Sequence, residues 1–232
     1  MSIVNDLVLP EKPKLILSEE KKATFEIKPL FPGFGVTLGN ALRRVLLSSL
    51  VGAAITKVKI ENVDHEFSTL PGVYEDVIDI LLNLKKIRFK FNLDYPVEVK
   101  LEAKGKKEVR AKDIHLVAGV EIVNPDLLIA TLTSEEAELK MTLTIEKGRG
   151  YVLGENIKKE KLGIGEIVLD ANFSPVINVS YEVENIRYLD RTDFNLLRIT
   201  IETDGTKTPA EALNEALEIL INHFEVLKFK ET

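Results

Sequence analysis

The run Leu38–Leu50 constrains this chain more than any other segment. At helical spacing Leu38, Ala41, Leu42, Val45 and Ser49 form one stripe, and Leu46, Leu47 and Leu50 widen it past a single face. A helix apolar most of the way round is buried on more than one side. In a chain of 232 residues the second side is expected to meet another subunit, because large exposed apolar patches are rare on monomers. A two-fold homodimer is the default form of such a pairing. Arg43 and Arg44 sit in the middle of the run, and Thr37 is the expected N-cap.

The segments around this helix read as strands. Ala23, Phe25 and Ile27 alternate with Lys22, Thr24, Glu26 and Lys28, the period of a half-buried strand. Pro29–Gly35, with two prolines and two glycines, predicts a shaped turn. Near the other end, Ile177–Val183 and Leu197–Glu202 alternate in the same way. Thr208-Pro-Ala-Glu211 is a capping box with proline at the first helical position. It opens a helix to about Lys228 with the stripe Leu213, Ala216, Leu217, Leu220, Ile221, Phe224 and Leu227.

Between these ends, Thr56–Glu61, Ile87–Phe91, Tyr95–Ala103 and Ala137–Ile145 all alternate, with one short helical stripe over Val73–Leu84. The economical arrangement is an α+β fold. An antiparallel sheet with two helices is built from both chain ends (residues 1–51 and 174–232), and a mostly β domain (residues 52–173) is inserted into it.

Composition removes several function classes. There is no cysteine and only three histidines, so no thiol nucleophile, thiolate metal site or histidine-rich metal site is expected. The formal charge of −6 leaves no surplus of cations for phosphate neutralisation, so no direct nucleic-acid binding is expected. No stretch of 18 residues is free of charge, and Met1–Lys14 lacks the cationic start and apolar run of a signal peptide. The expected compartment is the cytoplasm, with no membrane association.

The motifs that invite chemistry are incomplete. Gly33-Phe-Gly-Val-Thr-Leu-Gly39 lies between a strand and a helix, where a phosphate loop sits, but lacks both the dinucleotide fingerprint and a following Lys-Ser/Thr. Asp64-His-Glu66 has no second histidine four residues on. Lys147-Gly-Arg-Gly150 reads as a hairpin turn, and Asp190-Arg-Thr-Asp193 as a charged turn before a strand. No triad, paired-carboxylate site or metal set emerges, so the chain is not expected to be an enzyme standing alone.

The run Phe34-Gly-Val-Thr-Leu-Gly-Asn-Ala-Leu-Arg-Arg-Val-Leu-Leu-Ser-Ser-Leu50 resembles the assembly helix of the bacterial RNA polymerase α subunit family. His65-Glu-Phe-Ser-Thr-Leu-Pro-Gly-Val-Tyr-Glu-Asp76, Asn83-Leu-Lys85, Lys147-Gly-Arg-Gly-Tyr151, Arg191-Thr-Asp193 and Glu202-Thr-Asp-Gly-Thr206 follow in the family's order. The resemblance spans essentially the whole chain.

It implies an assembly scaffold with no catalytic residue of its own: a homodimer that binds the β and β′ subunits and nucleates the transcribing core enzyme. No cofactor or metal is implied in this chain; the catalytic magnesium belongs to the large subunits. The implied dimer interface comprises Phe34, Leu38, Leu42, Leu46, Leu50, Leu213, Leu217, Leu220, Phe224 and Leu227. The implied β-subunit contacts are Asn40, Arg43 and Arg44, with His65, Glu66, Ser68, Thr69, Gly72, Val73 and Glu75. The implied β′-subunit contacts are Ser174, Pro175, Arg187, Asp190, Arg191, Thr192 and Asp193.

The family's usual chain continues through a linker into a small DNA-binding domain. This sequence stops at Thr232, so promoter and activator contacts of that domain are not expected from it. The charged loop Glu155–Lys161 matches nothing recognised. Two other readings stand beside the leading one: an archaeal- or eukaryotic-type assembly subunit with a heterodimeric partner, and a nucleotide-binding enzyme using the Gly33–Gly39 loop.

Overall fold

The computed structural model describes residues 7–157, 163 and 165–229. Its first half runs β1 (Lys14–Ser18), β2 (Lys22–Leu30), α1 (Phe34–Ser48), β3 (Val51–Ile60), α2 (Val77–Leu84), β4 (Phe89–Phe91), β5 (Val97–Lys104), β6 (Lys107–Arg110), β7 (Ile114–His115) and β8 (Val120–Ile122). The second half runs β9 (Leu128–Leu132), β10 (Glu138–Arg149), β11 (Tyr151–Val152), α3 (Gly154–Ile157), β12 (Glu166–Val168), β13 (Ala171–Asn172), β14 (Val176–Tyr188), β15 (Arg191–Thr203) and α4 (Pro209–Val226). The fold is α+β, and the chain forms two compact units: Met1–Leu50 with Pro175–Thr232, and Val51–Ser174.

The first unit is a four-stranded antiparallel sheet in the order β1-β2-β15-β14, carrying α1 and α4. One sheet face, built from Ala23, Phe25, Val179, Ile199 and Ile201, packs on Leu42, Leu46 and Leu50 and on Ala212, Leu213 and Ala216 of α4. The strand alternation read from sequence produces this face, since side chains two apart share a side. On the alternate positions Glu26 pairs with Lys28 and Arg198, and Arg198 also pairs with Glu184. Glu26 is buried, and the hydrogen bond from Lys28, reinforced by Arg198, holds its carboxyl below the ordinary 4.5 despite that burial.

α1 begins one turn earlier than the sequence suggests. Thr37 is not its cap: the Thr37 hydroxyl donates to the Gly33 carbonyl inside the first turn. The N-cap is Gly33, whose φ of 87° suits glycine, and it has no capping side chain of its own. The acceptor comes from β15 instead: Asn195 Oδ1 takes the Gly33 N–H at 2.9 Å and the Gly35 N–H at 3.4 Å. Both donors are thereby occupied within the protomer. Gly35 and Gly39 lie on α1's buried face with Leu42 and Leu46. A Cβ at Gly39 would stand 2.6 Å from the Tyr181 ring, and one at Gly35 2.6 Å from Val183 Cγ1. The glycines let the helix backbone pack directly against the Tyr181 and Val183 side chains of β14.

The second unit is centred on a five-stranded antiparallel sheet, β12-β3-β10-β5-β7, flanked by the two-stranded pairs β4–β8, β6–β9 and β11–β13. α2 buries Val77, Ile80, Leu81 and Leu84 in its core. The helix starts at Val77 and not at Val73, because Asp76 caps it by accepting the Asp79 N–H and Val73 bridges to Leu132 as a strand residue. Lys147–Gly150 is likewise not a hairpin turn. Lys147, Gly148 and Arg149 pair with Ala53, Gly52 and Val51 at the end of β10, and the Phe173 ring lies where a Gly148 Cβ would be. A glycine in a strand here marks close approach of another group.

Candidate functional site

The expected dimer residues divide by burial. Leu42, Leu46, Leu50 and Leu213 are buried inside the first unit, as its core, so they support the helices and are not themselves a free surface. Leu38, Leu217 and Leu220 are half-buried against that core. Phe34 is exposed at the start of α1. At the end of α4, Phe224 is 62% exposed, Val226 85% and Leu227 75%, with Ile221 also exposed. The apolar stripe of α4 thus runs from the core out into solvent within one helix.

The outward face of α1 holds Val36, Asn40, Arg43, Arg44 and Leu47, all exposed. No described carboxylate pairs with either arginine. A guanidinium offers five donors in a fixed fork, so this face presents two unpaired forks beside apolar side chains.

The block His65–Glu75 belongs to the second unit and is a pinned loop. Glu75 Oε2 accepts the Thr131 N–H at 2.6 Å and Oε1 accepts the Thr131 hydroxyl at 3.0 Å. Thr133 donates its N–H and its hydroxyl to the Gly72 carbonyl, Tyr74 donates to the Thr131 carbonyl, and Val77 donates to the Ser68 carbonyl. Glu75, Gly72 and Val73 therefore hold the loop's shape; the Glu75 carboxylate is spent inside the protomer. His65 and Ser68 share a hydrogen bond at the surface, and Glu66 and Thr69 are exposed. Within the same block Phe67 is 76% exposed and Tyr74 81% exposed, large aromatic side chains beside the charged and polar ones.

At the β14–β15 hairpin, Leu189 and Asp190 form the two-residue turn, and Leu189 has φ 54°, a left-handed conformation unusual for leucine. The Arg191 guanidinium lies 5.5 Å from the Phe31 ring centroid and 5.3 Å from that of Phe194, and it makes two hydrogen bonds to Asp193. The Asp193 carboxyl is held low by that pairing. Arg187 donates to the Leu189 carbonyl, and Thr192 is exposed. Pro175 is buried and Ser174 half-buried. The segment read as a solvated turn before a strand is thus strand from Arg191 onward, because Phe31 and Phe194 give the arginine stem and fork a place to stack.

Among the described residues no group of three or more His, Asp or Glu is placed to hold a metal, and no helix is long and apolar enough to cross a membrane. Of the Glu155–Lys161 loop, residues 158–161 lie outside the described residues.

Residues 58–174 match the family model of the RNA polymerase Rpb3/RpoA insert domain. That places the chain in the class of polymerase subunits in which such a domain interrupts a second one. The DNA-directed RNA polymerase subunit alpha of Roseiflexus sp. (strain RS-1) is 48% identical over 222 residues, covering 96% of this chain and 68% of the relative. That of Flavobacterium psychrophilum is 48% identical over 218 residues (93% and 66%), and that of Aquifex aeolicus 46% over 231 (97% and 71%). The chain belongs to the bacterial DNA-directed RNA polymerase α subunit family and matches its N-terminal part. The archaeal- or eukaryotic-type alternative is not what these relatives support.

Proposed function

We propose that this chain is the assembly scaffold of a bacterial RNA polymerase in the cytoplasm. Two copies pair through the α1 and α4 ends of their first units. One protomer engages β through the Asn40–Arg44 face and the His65–Glu75 loop, and the other engages β′ through the Ser174–Pro175 segment and the Arg187–Asp193 hairpin. The active site and its magnesium belong to the large subunits.

The observation that carries this reading is the end of α4. Ile221, Phe224, Val226 and Leu227 are exposed together on a helix whose earlier turns are core. Apolar area left in water forgoes about 25 cal/mol per Å2, so a second copy is the economical cover. Light scattering tests it: the chain is expected at twice its mass, and Phe224→Asp with Leu227→Asp as monomer, since both positions are exposed and the charges disturb only the seam. A variant that stays dimeric refutes the seam. Arg44→Ala is expected to keep the dimer and weaken retention of β; unchanged β affinity refutes that assignment.

A further inference from the structure

We infer that the groove between the 63–75 loop and α2 is a docking site for an apolar segment that carries lysine or arginine, supplied by the large subunit that engages this loop. The inference rests on the proposed β contact and specifies its chemistry. Phe67 on the loop, Ile78 and Leu82 four residues apart on α2, and Ile167 and Leu169 line the groove. It holds about 280 Å3, room for a few side chains and below the roughly 300–1,000 Å3 of small-molecule pockets.

The exposure of Phe67 is not slack in the chain. Val63 and Leu70 anchor the loop in the core, and Gly72, Tyr74 and Glu75 bond it to the end of β9. Anchoring the backbone on both sides of Phe67 lowers the ordering cost of docking a partner against it. α2 likewise shows two faces: Val77, Ile80, Leu81 and Leu84 are core, while Ile78 and Leu82 point outward at helical spacing.

Charge selects the occupant. Glu66, which lines the groove, is an exposed carboxylate with no ion pair or side-chain hydrogen bond among the described residues. The cation lining the groove, Lys85, is already paired with Asp170 at 3.3 Å. Asp170 is in turn fixed by the Gly154 N–H and the Tyr151 hydroxyl, which with Lys85 hold its carboxyl below the ordinary range. The groove is therefore apolar in its floor and carries one unpaired carboxylate, Glu66, in its lining. An apolar segment with a basic side chain satisfies both, and an acidic or purely apolar one does not.

The test uses the chain assembled with its cognate β and β′ subunits. With Phe67→p-benzoylphenylalanine, irradiation is expected to join this chain to β; an adduct with β′, with a second copy of this chain, or with neither overturns the inference. Phe67→Ser with Leu82→Ser is expected to weaken β retention about tenfold or more, with only a small fall in melting temperature because Phe67 is largely and Leu82 half exposed. Glu66→Lys is expected to slow association several-fold at low salt and to flatten its salt dependence; an unchanged rate overturns the basic character of the segment. If Arg44→Ala loses β while the groove variants retain it, the groove inference falls and the β contact stands. If the unaltered chain retains no β, both fall.

Discussion

The cap on α1 comes from another strand, and removing it has a calculable cost. Asn195→Ala deletes the acceptor for the Gly33 and Gly35 N–H groups and the 3.0 Å bond from Nδ2 to Asn185. Loss of an N-cap side chain costs about 0.5–2 kcal/mol. The Gly35 N–H is buried, and orphaning a buried donor costs about 1–3 kcal/mol, the low end applying here because its bond is long. With about 1 kcal/mol for the bond to Asn185, the total is about 3 kcal/mol. Asn195→Asp keeps the acceptor and places a carboxylate at the helix N-terminus, where it gains about 0.3–1 kcal/mol, and a turned Asn185 amide can donate to it. The aspartate variant is therefore expected within about 1 kcal/mol of the parent. Urea unfolding at matched protomer concentration reads both; at typical slopes of about 1–3 kcal/mol per M, the alanine variant's midpoint falls by about 1–3 M. An alanine variant within about 0.5 kcal/mol of the parent, or an aspartate variant as weak as alanine, would refute the tertiary cap.

Gly39→Ala forces a methyl group into the Tyr181 ring; it is expected to cost about 1–3 kcal/mol, partly recovered by Tyr181→Ala, and a double variant no more stable than Gly39→Ala alone counts against the close approach. Glu26 is lowered below its ordinary 4.5, so its stabilisation is complete above that pH and disappears as pH falls through the lower folded value. Glu26→Gln is expected to be less stable than the parent at pH 7 and to converge on it as pH falls below 4.5 through the lowered folded value; parallel stability curves across that range would show that the pairing with Lys28 and Arg198 contributes nothing.

What could be read from the sequence was periodic, and what escaped it was long-range. The stripes over Leu38–Leu50 and Leu213–Leu227 marked two helices because burial repeats at the helical period, and alternation marked Lys22–Lys28 and Ala137–Ile145 as strands. Thr37 was mistaken for a cap because a cap is usually local, whereas Asn195 lies 162 residues from Gly33. Lys147–Gly150 looked like a turn because nothing near it in sequence reveals that Phe173 covers Gly148. β1 left no period to find, all five of its residues being exposed. At the candidate contact surfaces, motif resemblance marked segments but not orientations: it could not tell that Glu75 faces Thr131 while Phe67 and Tyr74 face solvent.

The placement of β2 and α1 before the inserted unit, and of β15 and α4 after it, sets an order of events during synthesis. β2 has β15 as one neighbour, and about 140 residues separate the end of α1 from the start of β15, roughly seven to thirty seconds of translation at about 5–20 residues per second. The inserted unit is complete in sequence by Ser174 and can fold while the ribosome is still at work. α1, with leucines that only the finished sheet and α4 can cover, waits uncovered through that interval. The newborn chain is therefore most exposed to wrong partners and to holding chaperones at Leu42–Leu50, and the segment from β15 through α4 is the one that ends the wait.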